Sequence, residues 1–493
     1  MRLSGRIRAL PAVPRALATT VIFAIALAST GCGDYYRPVA QPLQGAQPSP
    51  GAAHIVVSVN TDAVASNFES NGTATNIDAS GDSIQGNLNV GLAPTHAAVI
   101  PNGARLYVAN GGDDTVTANA TSSPTTAAAT IILRSPPAGG IDPVFVGTAD
   151  NNNVYVAGYS TNSVYAIGTA NNVVTTTVPV GVHPVALAQL PNLQQLYVAN
   201  AGSGDVSVID TANGDAVTQT IALPGGAVPV WVTAKNDSSR VYVLDASGTI
   251  YDLLPQVGAI NCTSAPLSGC SPTSTTVAGA GSNFLAFDPM LDRLYVTNPT
   301  NSQVAVLDGS VDPPAQIATI NLATEAASLC SACSPDSVTV LGDGSRAYVG
   351  AYQLAPGCTD NSGNAVNCVN TFVAVIDGQS ASLKSVIPNL SSAPVIDGTG
   401  CGPASGAPPA VWQPGTARFR VSIASTGGGS NSNFKVYVGQ CDAGSVAVIN
   451  TYPVNGNVAD VYSGVSLNAP LSTFPPILGV PPPENPVFVV AGP

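Results

Sequence analysis

The chain has 493 residues, with 49 Gly and 41 Pro, and only 9% of its residues are charged. Four arginines and no acid lie in the first 31 residues, so the remainder carries 11 basic against 28 acidic residues, a net charge of −17. An acidic surface this poor in Lys and Arg repels phosphate backbones and argues against a nucleic-acid partner. A palette of Val, Ala, Thr, Ser, Gly, Asn and Asp builds strands and turns rather than helices.

The N-terminus reads as an export address. Met1 to Arg15 is basic, and Ala16 to Thr30 is an apolar run of signal-peptide length, short for a membrane span. It ends Leu27-Ala28-Ser29-Thr30-Gly31-Cys32, which resembles the lipobox of bacterial lipoproteins, although Ser29 stands where that family has an aliphatic residue. The resemblance implies lipidation at Cys32 after removal of residues 1–31, and Gly33 in place of Asp implies the outer membrane of a Gram-negative cell. An ordinary secretory signal is the alternative. Residues 32–53, rich in Pro, Gln and Gly, read as an extended tether, and residues 54–493 as one domain.

Cysteine usage fits export. Eight cysteines besides Cys32 suit four disulfides in an oxidising compartment. Cys262 with Cys270 and Cys358 with Cys368 would each close a short loop, Cys330 with Cys333 could close on itself, and Cys401 and Cys441 remain. Eight cysteines allow 105 pairings, so sequence leaves the connectivity open.

Beyond the tether a unit recurs. Variants of Leu196-Tyr197-Val198-Ala199-Asn200 stand at Arg105–Asn110, Asn153–Gly158, Gln195–Asn200, Arg240–Asp245, Arg293–Asn298, Arg346–Ala351 and Lys435–Gln440. Around one copy the plan is legible. His183–Leu190 is an apolar strand, Gln195–Asn200 the motif strand and Asp205–Asp210 a third strand. Asn213-Gly214 makes a hairpin turn, and Ala216–Leu223 is a fourth strand. Four strands in about 42 residues match one propeller blade. With Tyr295-Val296-Thr297-Asn298 present verbatim, the chain resembles the YVTN-type β-propeller repeats, a resemblance that covers nearly all of it after the tether. The apolar motif predicts strands buried on both faces, with Tyr and Val filling the gaps between blades.

Spacing then sets the count. The motif tyrosines Tyr107, Tyr155, Tyr197, Tyr242, Tyr295, Tyr348 and Tyr437 make seven blades; the long last gap holds only one added strand, Ala417–Ser425, and an insertion at Asn389–Thr416. Further insertions fall near 254–272 and 352–370. Asn485–Val490 looks like the first strands beginning at Asp142 and His183, yet no motif strand follows it. His54–Val59 looks like an orphan second strand. The expected fold is therefore an all-β propeller of eight four-stranded blades, one of them shared between the two ends of the chain and sealing the ring; seven blades is the alternative.

Function is less legible. Loops joining second to third strands, and each blade to the next, share one rim. There fall Thr324–Ser334, Tyr352–Asn370, Asn389–Thr416 and the turn at Asp442, four cysteine-bearing segments on one arc. His96 and His183 begin first strands; with Asp113 and Asp442 they are scattered metal-ligand candidates without a supporting spacing. Asp360 to Asn364 lacks the spaced ligands of a Ca²⁺ loop, no nucleophile elbow or phosphate loop is present, and Trp231 and Trp412 alone do not make the docking repeats of quinone propellers. No cofactor is implied. These features point to a membrane-anchored binding or scaffold module for a protein, glycan or small molecule. The alternative comes from lactonase-like propellers, relatives of this repeat class, and is metal-assisted hydrolysis at the channel rim.

Overall fold

The computed structural model describes residues 55–62, 71–123, 127–133, 140–148, 150–190, 192–255, 272–277, 279–360, 363–395, 401–402, 414, 417–426, 434–451, 461–468 and 484–492. The leader, Cys32, the tether and the loop with Cys262 and Cys270 lie outside the described residues.

The strands form eight four-stranded antiparallel sheets. Blade 1 takes β1 (Ile55–Asp62), β2 (Asn71–Asp78) and β3 (Ser83–Leu92). Blade 2 is β4 (Pro94–Val99), β5 (Arg105–Asn110), β6 (Thr115–Ala120) and β7 (Ala127–Ile132); blade 3 is β8 (Pro143–Gly147), β9 (Asn153–Gly158), β10 (Ser163–Gly168) and β11 (Val173–Pro179). Blade 4 is β12 (Pro184–Leu190), β13 (Gln195–Asn200), β14 (Asp205–Asp210) and β15 (Ala216–Ala222); blade 5 is β16 (Pro229–Ala234), β17 (Val241–Asp245), β18 (Thr249–Leu253) and β19 (Thr273–Thr276). Blade 6 is β20 (Phe284–Asp288), β21 (Arg293–Asn298), β22 (Gln303–Asp308) and β23 (Ala315–Asn321); blade 7 is β24 (Ser334–Val340), β25 (Arg346–Thr359), β26 (Ala365–Asp377) and β27 (Ser382–Pro394). Blade 8 is β28 (Val421–Ser425), β29 (Lys435–Gln440), β30 (Ser445–Asn450) and β31 (Val461–Asn468), and β32 (Glu484–Ala491) returns to blade 1. The first strands contact one another around a closed ring, β4 to β8 and so on to β28, β32 and back to β4.

The closing blade is shared as expected, in the order β3-β2-β1-β32. Val57 lies opposite Val490 and Val59 opposite Phe488, so the last strand supplies the inner edge of a sheet begun by the first. The eight-blade count follows.

The repeated tyrosines are core. Tyr107, Tyr155, Tyr242, Tyr295, Tyr348 and Tyr437 are completely buried, as is nearly all of Tyr197. Their hydroxyls and the basic residue two places earlier do something that the apolar pattern did not reveal. Tyr107 donates to Asn172 Oδ1 at 2.8 Å, Tyr155 to Asp215 at 3.0 Å, Tyr242 to the Gly309 carbonyl at 2.9 Å and Tyr437 to Asp82 at 2.6 Å. Each acceptor lies in the turn between third and fourth strands of the following blade. Arg105, Arg293, Arg346 and Lys435 reach the same turn, or the strand end beside it, in the blade ahead. Asn172, Asp215 and Asp82 have φ near +50°, a region that Asn and Asp tolerate. The turn residue is thus chosen twice, for backbone and as acceptor. In the Asn213-Gly214 hairpin the left-handed residues are Gly214 and Asp215.

The small residue ending the motif is also explained. A Cβ on Gly439 would lie 2.7 Å from Val489 Cγ2 of the next first strand, and one on Gly350 would lie 2.8 Å from Val421 Cγ1. At Gly350 and Gly439 the next first strand leaves no room for a side chain, although Leu244 and Thr297 fill the same place in blades 5 and 6.

The outermost strands carry a single charge, Lys384. Exposed strand edges are commonly guarded by charge. Here a register shift marks the pairing of third and fourth strands in seven of the eight blades. The extra outer-strand residue twists the edge away from partners.

Two expectations require correction. Residues 352–370 are not a loop: β25 and β26 continue as a paired hairpin to Thr359 opposite Ala365. Residues 389–394 do not belong to an irregular insertion either, because β27 follows β26 to Pro394. The Gly, Pro and Asn of these segments mask an alternation that main-chain pairing nonetheless holds. Of Ala417–Ser425, only Val421–Ser425 is strand.

Candidate functional site

One arc of the upper rim is built differently from the rest. Between β23 and β24 a single helical turn, α1 (Leu322–Glu325), starts on Asn321, whose side chain accepts from the Thr324 N–H. The buried pair Cys330–Cys333 then closes the connection. Blade 7 rises past its neighbours as a three-stranded flap of β25, β26 and β27, tied across its first two strands by Cys358–Cys368. Cys401–Cys441 pins the following segment to the upper turn of blade 8. Three disulfides on extended segments fit an oxidising compartment. Pro356, Gly357, Thr359, Ala365 and Asn367 expose the flap, while Cys368 and Val369 are buried at its base.

Beneath the arc lies a buried polar seam between blades 6, 7 and 8. Arg420 donates to Asp442 at 2.8 Å, with both side chains at most 3% exposed. The Arg420 guanidinium also lies 5.3 Å from the Tyr352 ring centroid. Asp336, fully buried on β24, accepts from the Val421 N–H at 3.0 Å, the Arg420 N–H at 2.5 Å and Asn283 Nδ2 at 3.0 Å. Burial pushes its carboxyl up to about 6, against the pull of these N–H donors. Through these bonds Asp336 joins blades 6, 7 and 8.

The channel axis is filled with aromatic rings. His96 of β4 stacks on Phe145 of β8 at 4.0 Å and on Phe488 of β32 at 4.2 Å. Phe145 meets Trp231 of β16 edge-on at 5.5 Å, and Trp231 lies 4.4 Å from Phe284 of β20. Phe419, entering from the lead-in to blade 8, packs against Trp231, Phe284 and Phe488. Rings from non-adjacent blades touch, so they meet at the axis. The sequence signal was available: Pro143-Val144-Phe145, Pro229-Val230-Trp231 and Pro486-Val487-Phe488 place an aromatic two residues after Pro at the head of a first strand.

The four metal-ligand candidates are not brought together. His96 is buried among the axial rings and its Nδ1 accepts from the Val146 N–H at 3.3 Å. Its pKa falls to about 3, because burial and then the Arg418 charge disfavour the imidazolium. His183 stacks on Tyr159 at 4.3 Å. Asp113 accepts from the Leu92 N–H at 2.9 Å and from Thr115 Oγ1 at 2.7 Å, and Asp442 holds Arg420. Among the described residues no three His, Cys, Asp or Glu side chains converge as a metal would need. No helix among them is long and apolar enough to cross a membrane.

The histidine gives a pH prediction. Its depressed pKa contributes stability that is present above about 6.5 and lost as pH falls towards 3. Asp336, with a raised pKa, acts in the opposite sense: its contribution is present below about 4 and lost as pH rises through 6. Comparison with His96→Phe cancels the Asp336 effect. Between pH 7 and pH 5 the variant should gain about 2 kcal/mol relative to the wild type in urea unfolding. Parallel pH profiles would show that His96 is protonated freely in the fold.

No family model matches the chain, and no curated protein does. Solved structures do. The chain is similar to hydrazine synthase of Kuenenia stuttgartiensis at 18% identity and TM-score 0.43, covering 62% of this chain and 89% of that one. It is similar to the β-propeller domain of Cps50 (Swd1) from Myceliophteria thermophila at 10% identity and TM-score 0.44, over 61% and 87% of the two chains. A Bacteroides fragilis protein named provisionally as a 6-phosphogluconolactonase matches at 12% identity and TM-score 0.47, over 90% and 99%. At these levels none of their activities carries over to this chain.

Proposed function

We propose that the protein is an exported, lipid-anchored propeller of the YVTN-repeat type that binds a partner through the flap and disulfide-braced arc of blades 6 to 8. Cys32 would hold it to the outer membrane, and residues 33–53 would lift the ring off the bilayer. The observation that carries this reading is the blade 7 flap, the one place among the described residues where three strands of a blade outgrow their neighbours and are cross-linked. Rigid scaffolds present binding residues on such extensions. The scattered His96, His183, Asp113 and Asp442 favour binding over metal-assisted hydrolysis, which needs ligands that converge.

The test has two arms. Joining Tyr352 to Thr371 by a short turn, with β27 cut back to match, removes the flap and should abolish retention of the purified ring on envelope fractions. Retention unchanged by a trimmed flap would sink the proposed surface. Growth with a palmitate analogue should label the wild type and not Cys32→Ala; a labelled Cys32→Ala protein would refute the anchor.

A further inference from the structure

The lead-in to blade 8 sends one side chain across the channel. Arg418 donates from Nη1 to the Val185 carbonyl of blade 4 at 2.8 Å and from Nη2 to the Val230 carbonyl of blade 5. Its guanidinium carbon lies 4.5 Å from the centre of the Trp231 ring. Blades 4 and 5 thus supply the receptor and blade 8 the ligand. The two carbonyls are available for a structural reason. Pairing of β12 with β13 shifts register between Pro184 and Ala186, and pairing of β16 with β17 shifts between Pro229 and Trp231. Val185 and Val230 are the bulged residues, so their carbonyls are free of the ladder and turn to the axis. Two fixed carbonyls beside an indole face make a receptor for a planar cation with two N–H edges.

An apolar side chain would have filled this space without the cost of burying a charge. Residues 417–420 otherwise look like a strap seated in the channel mouth. Phe419 packs among the axial rings, Arg420 holds Asp442, and Gly402, next to the Cys401–Cys441 bridge, lies against the Arg420 guanidinium. We infer that the channel of this protein contains a guanidinium-binding site, formed by Val185, Val230 and Trp231, which its own Arg418 occupies as an internal ligand. A guanidinium cation is the ligand class that takes the site when the Arg418 side chain is removed. This inference is independent of the flap.

Chemical rescue tests it. In a Trp412→Phe background Trp231 is the sole indole, and its emission reports the site. Arg418→Ala should bind methylguanidinium one-to-one with a dissociation constant on the order of 1–10 mM, with a change in Trp231 emission and a rise in Tm. The Arg418 protein should show neither, and methylammonium at equal ionic strength should bind the variant at least about tenfold more weakly. If Arg418→Ala does not fold unaided, its refolding in about 20 mM methylguanidinium is the readout, and recovery of the native circular dichroism supports the site. Equal responses of variant and wild type, equal binding of methylammonium, or a variant that neither binds nor is rescued would overturn it.

Discussion

Removing residues 484–493 should leave a chain with no stable folded monomer. β32 is the inner strand of blade 1, paired with β1 from Val56 opposite Ala491 to Asp62 opposite Glu484. It buries Val487 and Val489, sends Phe488 to the axis, and its Asn485 Nδ2 donates to the Cys441 carbonyl at 2.5 Å. Losing three such side chains costs about 2 kcal/mol each, and the ladder about 1 kcal/mol per bond. Together these exceed about 10 kcal/mol, the whole stability of an ordinary domain. The first strands of blades 8 and 2 would also face an open gap. The truncated chain should lack a cooperative urea transition and recover one when the peptide 484–493 is added. A truncated protein that unfolds at the wild-type urea concentration would show that the ring does not depend on the clasp.

The second large effect is expected at the seam. Asp442→Ala leaves the Arg420 guanidinium buried without the carboxylate 2.8 Å away. Breaking one side of a buried pair costs about 3–5 kcal/mol, mostly the desolvated charge left behind. Arg420→Met with Asp442→Leu should recover part of that loss, because the pair leaves together while buried Asp336 loses the Arg420 charge. A loss under about 1 kcal/mol in Asp442→Ala would mean that water reaches Arg420. An equally unstable double variant would mean that shape, not charge, matters at that point.

Much of the ring was legible because the repeat is local and two-sided. Arg105–Asn110, Asn153–Gly158, Gln195–Asn200, Arg293–Asn298 and Lys435–Gln440 are strands with the bounds that their composition predicts. The clasp could be read because β32 carries a first-strand pattern with no second strand after it. The flap escaped because Pro356 and Gly357 are turn formers by local preference, whereas Pro356 pairs with Asn367 of β26, Gly357 is taken up as a bulge, and the turn comes only at residues 360–364. The inter-blade staples escaped for another reason: the acceptors of Tyr107 and Tyr437 lie 65 and 355 residues away in sequence. Arg418 was the least visible. A lone basic residue beside an apolar strand reads as surface charge, and only ring closure brings it to carbonyls 233 and 188 residues distant.

The proposed contact surface is the blade 7 flap. Hydrogen exchange of the ring, free and seated on envelope fractions, tests it without knowledge of the partner. Added protection is expected at residues 352–359, 365–371 and 389–395, with blades 2 to 4 unchanged. Protection confined to blades 2 to 4, or to the opposite rim, would contradict it.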